Sequence, residues 1–233
     1  MFRTAVLVIH GFCGGLYENE YLVNYLQQYR NLDVYAYTLP GHAKDFLGKI
    51  DYNEWIHDSE KHLQELLNKY NNVILIGHSM GGVIASYLAT KYKIKKLVLI
   101  APSFDYFNFE QNKVDLKDIK SVVKEKDNTI YKDFATKLIR YSPFVLNEFR
   151  KLVNEYKDTV RNIKCPTLII HGTDDEIVKK ESSEYAFNNI NTNKKYLKLF
   201  EGVRHRVFLG EKKEEISLYI YKFIRGGLKW IIK

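Results

Sequence analysis

Short apolar runs recur along this chain, each closed by a glycine or proline turn, and they constrain the fold more than any other feature. Ala5–Ile9 ends at His10-Gly11, and Asp33–Leu39 alternates and ends at Pro40-Gly41. Val73–Ile76 ends at Gly77, Leu97–Ala101 at Pro102, Thr167–Ile170 at His171-Gly172 and Tyr196–Phe200 at Glu201-Gly202. Strands that are apolar almost throughout are buried on both faces, as in a parallel sheet. Amphipathic stretches of helix length separate them: Glu20–Tyr29, Tyr52–Tyr70, Val83–Tyr92 and Glu211–Ile224. Strand alternating with helix predicts an α/β protein, a mainly parallel sheet flanked by helices.

Ser103 to Ile163 breaks this rhythm. Helical stretches at Leu116–Lys124, Tyr131–Tyr141 and Val145–Tyr156 replace strand-and-turn units there. A stretch so long is not an ordinary loop in a compact domain. It reads as an inserted helical cap, residues 103–163, on a core made of residues 1–102 and 164–233. Most of its aromatics (among them Phe104, Phe109, Phe134 and Phe149) are expected in the cap's own core, and some on a pocket face.

Composition excludes several classes. With 233 residues, 45% hydrophobic and 27% charged, the chain is long and apolar enough to bury a core without disulfide or metal staples. The formal charge of +8 comes from lysines and arginines spread along the chain, so no nucleic-acid partner is expected. No apolar run reaches the roughly 20 residues of a membrane span. Met1-Phe2-Arg3-Thr4 leads straight into the first strand with no leader-like segment, so a cytoplasmic location is expected. Cys13 and Cys165 lie far apart and are expected as free thiols, and metal-ligand spacing is absent. The tail Arg225–Lys233 is basic, apolar and aromatic, which leaves two readings: contact with an anionic membrane surface, or packing on its own domain.

Chemistry concentrates in Gly77-His78-Ser79-Met80-Gly81-Gly82, a G-x-S-x-G pattern. The bare pattern is weak, but here a strand enters it and a helix leaves it, the setting of a nucleophile elbow. A serine hydroxyl standing clear of a sheet needs a very tight turn, and glycines at 77 and 81 admit one. The helix that follows favours negative charge at its N-terminus, and the Met80 N–H can donate to an oxyanion.

A serine nucleophile needs a base, and the base an orienting acid. In strand–elbow–helix hydrolases the chain order is serine, acid, histidine. Only His171 and His205 follow Ser79. His171 sits at a strand end held by the sheet, whereas His205 lies in a loop after the last strand, which selects His205. The segment after His171 offers Asp174, Asp175 and Glu176, and the spacing G-x-x-D-x-x-V selects Asp175. Asp174 is the near alternative and Asp105 a distant one. The second oxyanion donor is expected from His10-Gly11-Phe12-Cys13-Gly14-Gly15, at the Phe12 N–H. Cys13 reads as a small lining residue.

Together His10-Gly11-Phe12, Pro40-Gly41-His42, the Ser79 elbow, Pro166-Thr167-Leu168 leading to His171-Gly172-Thr173-Asp174-Asp175, and His205 resemble the α/β-hydrolase superfamily. Within it they resemble the monoacylglycerol lipase, carboxylesterase and lysophospholipase-like branch. The resemblance spans most of the chain, with the cap matching in position only. It implies the α/β-hydrolase fold with Ser79 as nucleophile, His205 as general base and acid, Asp175 as its partner, and Phe12 and Met80 as oxyanion donors. It implies no cofactor, and a small-molecule acyl ester as substrate. Ala43 follows His42 where the family usually has glycine, and no Asp precedes Pro40. Two alternatives stay open: a thioesterase, amidase or C–C bond hydrolase with the same triad, and a non-catalytic ligand-binding member of the fold.

Overall fold

A computed structural model describes residues 3–42, 51–104 and 143–226. Six strands form one sheet in the order β2-β1-β3-β4-β5-β6. They are β1 (Thr4–Ile9), β2 (Leu32–Ala36), β3 (Val73–His78), β4 (Lys96–Ile100), β5 (Thr167–Gly172) and β6 (Lys195–Phe200). Every pairing is parallel.

Side-chain alternation sorts the apolar runs onto two faces. Ala5, Leu7 and Ile9 of β1, with Leu75, Leu97, Leu99 and Ile169, join one core cluster. Val6 and Val8, with Ile74, Ile76, Val98, Ile100, Leu168 and Ile170, join the other. The first face is covered by α2 (Tyr52–Lys69), α3 (Met80–Lys91), α4 (Pro143–Tyr156) and α5 (Lys180–Asn189). The second is covered by α1 (Glu20–Gln27) and α6 (Lys213–Arg225). The predicted α/β class with a parallel sheet flanked by helices is therefore the observed one.

Two differences have physical causes. Helix α3 begins at Met80 rather than Val83, because Gly81 and Gly82 sit inside its first turn instead of a loop. It is buried on nearly all sides, so it shows little amphipathic pattern. Helix α5 escaped the pattern reading because its buried face is Ser182, Ser183 and Ala186, which makes no apolar stripe. Ser182 Oγ donates to the Pro102 carbonyl at 2.6 Å and accepts the Phe104 N–H at 2.8 Å. That serine ties α5 to the turn after β4.

Of the 103–163 stretch, α4 packs in the same core cluster as α2 and α3 through Phe149, Leu152 and Val153. The stretches Leu116–Lys124 and Tyr131–Tyr141, Asp105, and the tail beyond Gly226 lie outside the described residues. Cys13 and Cys165 are free thiols. Among the described residues no helix is long and apolar enough to cross a membrane.

In a parallel sheet, the neighbours of β1 are connected in opposite directions, and a crevice opens at the strands' carboxyl ends at such a switch point. Here it lies between β1 and β3, whose ends carry His10-Gly11-Phe12 and His78-Ser79.

Candidate active site

Ser79 turns the chain from β3 into α3 with φ 54° and ψ −120°. That backbone is rare for a side-chain-bearing residue and costs on the order of 1–3 kcal/mol. The turn is over-determined by its surroundings. The Ser79 N–H donates to the Ile100 carbonyl at 2.9 Å, and its carbonyl accepts from Gly82 at 2.9 Å and Ser103 at 3.3 Å. A Cβ at Gly77 would overlap the Gly81 carbonyl, and one at Gly81 the Ile9 carbonyl. Among the described residues the non-glycine residues at positive φ are Cys13, Ser79 and Ala101. Ser79 and Ala101 directly follow β3 and β4, and Cys13 lies in the loop four residues after the end of β1, so backbone strain gathers around the carboxyl ends of these strands.

The loop after β1 closes on this elbow. A Cβ at Gly11 would lie 2.9 Å from Ser79 Cβ. The Phe12 ring stacks on Phe149 of α4, with centroids 5.0 Å apart and planes at 11°. It meets Trp55 and His42 edge-on, each at 6.0 Å. The Phe12 backbone is thus anchored by its side chain. Met80 is the first residue of α3, where an N–H has no acceptor within the helix.

The candidate acid and base follow β5 and β6, at the other end of the strand order. His205 Nδ1–H donates to Asp175 Oδ2 at 2.8 Å, with the two side chains 6% and 2% exposed. Asp175 Oδ1 accepts the N–H groups of Ile177 at 2.9 Å and Val178 at 2.7 Å. Burial disfavours charge on both partners, but their mutual attraction wins: His205 is raised above the ordinary histidine value and Asp175 is lowered. Asp174, the near alternative, is exposed, and its carboxylate accepts instead from the Thr173 hydroxyl at 2.9 Å. Glu176 Oε2 accepts the His205 N–H at 3.3 Å and lies 3.4 Å from Arg204 Nε, so it holds the histidine loop rather than the imidazole.

His171 is fixed structurally. Its Nε2–H donates to the Val178 carbonyl at 2.9 Å, and its Nδ1 accepts from Ser183 Oγ at 2.7 Å. Burial pushes its pKa down. His78 was not singled out by the sequence, yet its Nε2–H donates to the His205 carbonyl at 3.0 Å. Burial lowers His78 to about 4, so it is neutral near pH 7. No spacing rule announces this contact, because it joins the elbow to a loop far along the chain. Among the described residues no group of His, Cys, Asp and Glu could hold a metal ion.

The Hydrolase_4 family, described as serine aminopeptidase S33, matches residues 2–213. The chain belongs to this family. It is an α/β-hydrolase, as its motifs implied. A carboxylesterase of Bacillus subtilis is 24% identical over 243 residues, covering 97% of this chain and 94% of that protein. A monoacylglycerol lipase of Paleococcus ferrophilus superposes with a TM-score of 0.72 at 21% identity, covering 97% of each chain. An esterase from Exiguobacterium antarcticum gives 0.74 at 22% identity, covering 97% of this chain and 93% of that one.

Proposed function

We propose that this protein hydrolyses carboxylic esters through an acyl-enzyme on Ser79. The observation that carries the reading is the buried 2.8 Å hydrogen bond from His205 Nδ1 to Asp175. It leaves Nε2 as the basic nitrogen, and His78, next to Ser79 on the elbow, is bonded to the His205 carbonyl, which supports pairing this base with Ser79.

His205 Nε2 takes the Ser79 proton as Oγ bonds to the ester carbonyl carbon. The carbonyl oxygen gains the electron pair and is held by the Phe12 and Met80 N–H groups. Collapse expels the alcohol, which receives its proton from the imidazolium. Water, activated by the same Nε2, then releases the acid and restores Ser79. Asp175 fixes the tautomer and stabilises the imidazolium. The cycle closes on the chain's own groups and needs no cofactor.

The substrate class is a monoacylglycerol, lysophospholipid or simple acyl ester, a reading supported by the likeness to a carboxylesterase and a monoacylglycerol lipase. Of the cap, the described helix α4 sets Phe149 against Phe12, an apolar contact beside the oxyanion loop that suits an acyl substrate. Contact of the tail with anionic membranes belongs to the same reading, and co-sedimentation with anionic vesicles, with and without residues 226–233, tests it.

The main test is hydrolysis of p-nitrophenyl esters from acetyl to palmitoyl, wild type beside Ser79→Ala. Activity that peaks at one chain length and vanishes in the variant supports the reading. A wild type that neither hydrolyses any member nor is labelled by a fluorophosphonate overturns it. Matched thioester and amide substrates rank the alternative leaving groups.

A further inference from the structure

Two opposite charges are buried behind the crevice. Glu18 lies in a 3-10 turn, Leu16–Glu18, and its side chain is 4% exposed. The Arg206 side chain is 1% exposed, and its Nε lies 3.6 Å from Glu18 Oε1. Glu18 Oε2 accepts the Gly11 N–H at 3.3 Å. The carboxylate occupies the space a side chain would need at position 14: a Cβ on Gly14 would overlap it. The Arg206 guanidinium also lies over the Tyr17 ring, 5.6 Å from its centroid.

Removing two ions from water costs several kcal/mol each, and well-packed apolar residues usually serve stability as well or better. Stability alone therefore gives no reason for a charged pair here. Its location does. Gly11 immediately precedes Phe12, and Arg206 immediately follows His205. The pair is a direct link between these two loops, which arrive from β1 and β6.

We propose that Glu18 and Arg206 form a positioning clamp that holds the Phe12 loop and the His205 loop in register across the crevice. This rests on the reading of Phe12 and His205 given above. The clamp touches neither substrate nor reacting atoms. Each half carries one catalytic part: the carboxylate sets the backbone amide before Phe12, and the guanidinium sets the backbone after His205. Their charges cancel, so the buried carboxylate does not oppose the negative charge developing on the carbonyl oxygen.

The test compares wild type with Glu18→Gln, Arg206→Met, the double variant and Arg206→Lys. Each single neutral variant strands a buried charge and is expected to lose stability. The double variant is neutral, keeps an acceptor for the Gly11 N–H, and is expected to melt within a few degrees of wild type. It nevertheless lacks the link between the loops. Its kcat on a p-nitrophenyl ester should fall at least about tenfold, with KM within about threefold, since small misplacements of reacting groups cost rates of that order. Arg206→Lys keeps a charge and should recover much of the lost kcat. Native-state hydrogen exchange supplies a readout that needs no substrate. Arg206→Met should speed exchange at the amides of residues 11–14, and Glu18→Gln at residues 203–207.

A double variant with wild-type stability and wild-type kcat would overturn the clamp. So would single variants that loosen only their own loop. An inactive wild type would instead overturn the hydrolase reading, and the exchange data would still decide on the clamp.

Discussion

Replacing Asp175 by Asn tests the site through one proton. Asp175 Oδ1 accepts two backbone N–H groups, from Ile177 and Val178, while Oδ2 accepts His205 Nδ1–H and lies 3.4 Å from His171 Nε2, whose proton goes to the Val178 carbonyl. An Asn here can point its amide nitrogen either way. Aiming the NH2 at the two backbone donors would lose two hydrogen bonds and leave buried donors unmet, at about 1–3 kcal/mol each. The carbonyl oxygen therefore stays on Ile177 and Val178, and the NH2 faces His205 Nδ1. That nitrogen must then accept, which moves the imidazole proton to Nε2. The atom that should take the Ser79 proton is now protonated. In a serine-protease triad the same change lowers kcat about 10⁴-fold, equivalent to roughly 5 kcal/mol of barrier. We expect a loss of that order in kcat/KM for p-nitrophenyl esters and a parallel loss in fluorophosphonate labelling of Ser79. Asp174→Asn is the control: its carboxylate is exposed and bonded to Thr173, so the rate should stay within about threefold of wild type. An Asp175→Asn enzyme within tenfold of wild type, or an equal loss from Asp174→Asn, would refute the reasoning.

Further outcomes follow from the same geometry. Ala at Gly77 or Gly81 places a Cβ on backbone that cannot yield, so each should lower the melting temperature by more than 10 °C or prevent folding, at a cost above about 4 kcal/mol. Gly210→Ala, whose Cβ would meet only the Val207 carbonyl at 3.9 Å, should melt near wild type. Because His205 is raised and must be neutral to accept a proton, kcat/KM should rise with pH through a midpoint above the ordinary value of about 6.5. A midpoint below that value counts against His205 as the base. His78 is neutral when folded and titrates only at about 4. The unfolded chain takes up its proton first, so stability is full above about pH 6.5 and falls as pH drops toward 4. Urea midpoints measured across that window should show this loss, and it should shrink in His78→Gln.

Much of this was legible in the sequence because parallel-sheet physics writes itself into local patterns. A strand buried on both faces must be apolar throughout, so Val73–Ile76 and Leu97–Ala101 announce themselves. The elbow requires glycines at close backbone approaches, so Gly77 and Gly81 frame Ser79. Asp175 was separable from Asp174 only by spacing, and the structure supplies the reason: two backbone N–H groups hold Asp175 inward while Asp174 stays in solvent. What stayed hidden is long-range and polar. Helix α5 is buried through serines, His78 meets a carbonyl far along the chain, and the Glu18–Arg206 pair joins residues that no periodicity connects.

The strand order has a consequence in time as well as in space. The proposed nucleophile directly follows β3, which is paired between β1 and β4, all formed from the first hundred or so residues. The histidine and its acid hang from β5 and from the loop after β6, the outermost strand, which docks on β5 alone. A chain emerging from the ribosome therefore carries the elbow's residues while it still lacks the candidate base. On the proposed mechanism the last edge of the sheet completes the site, and recovery of esterase turnover during refolding is expected to report the completion of the fold rather than its beginning.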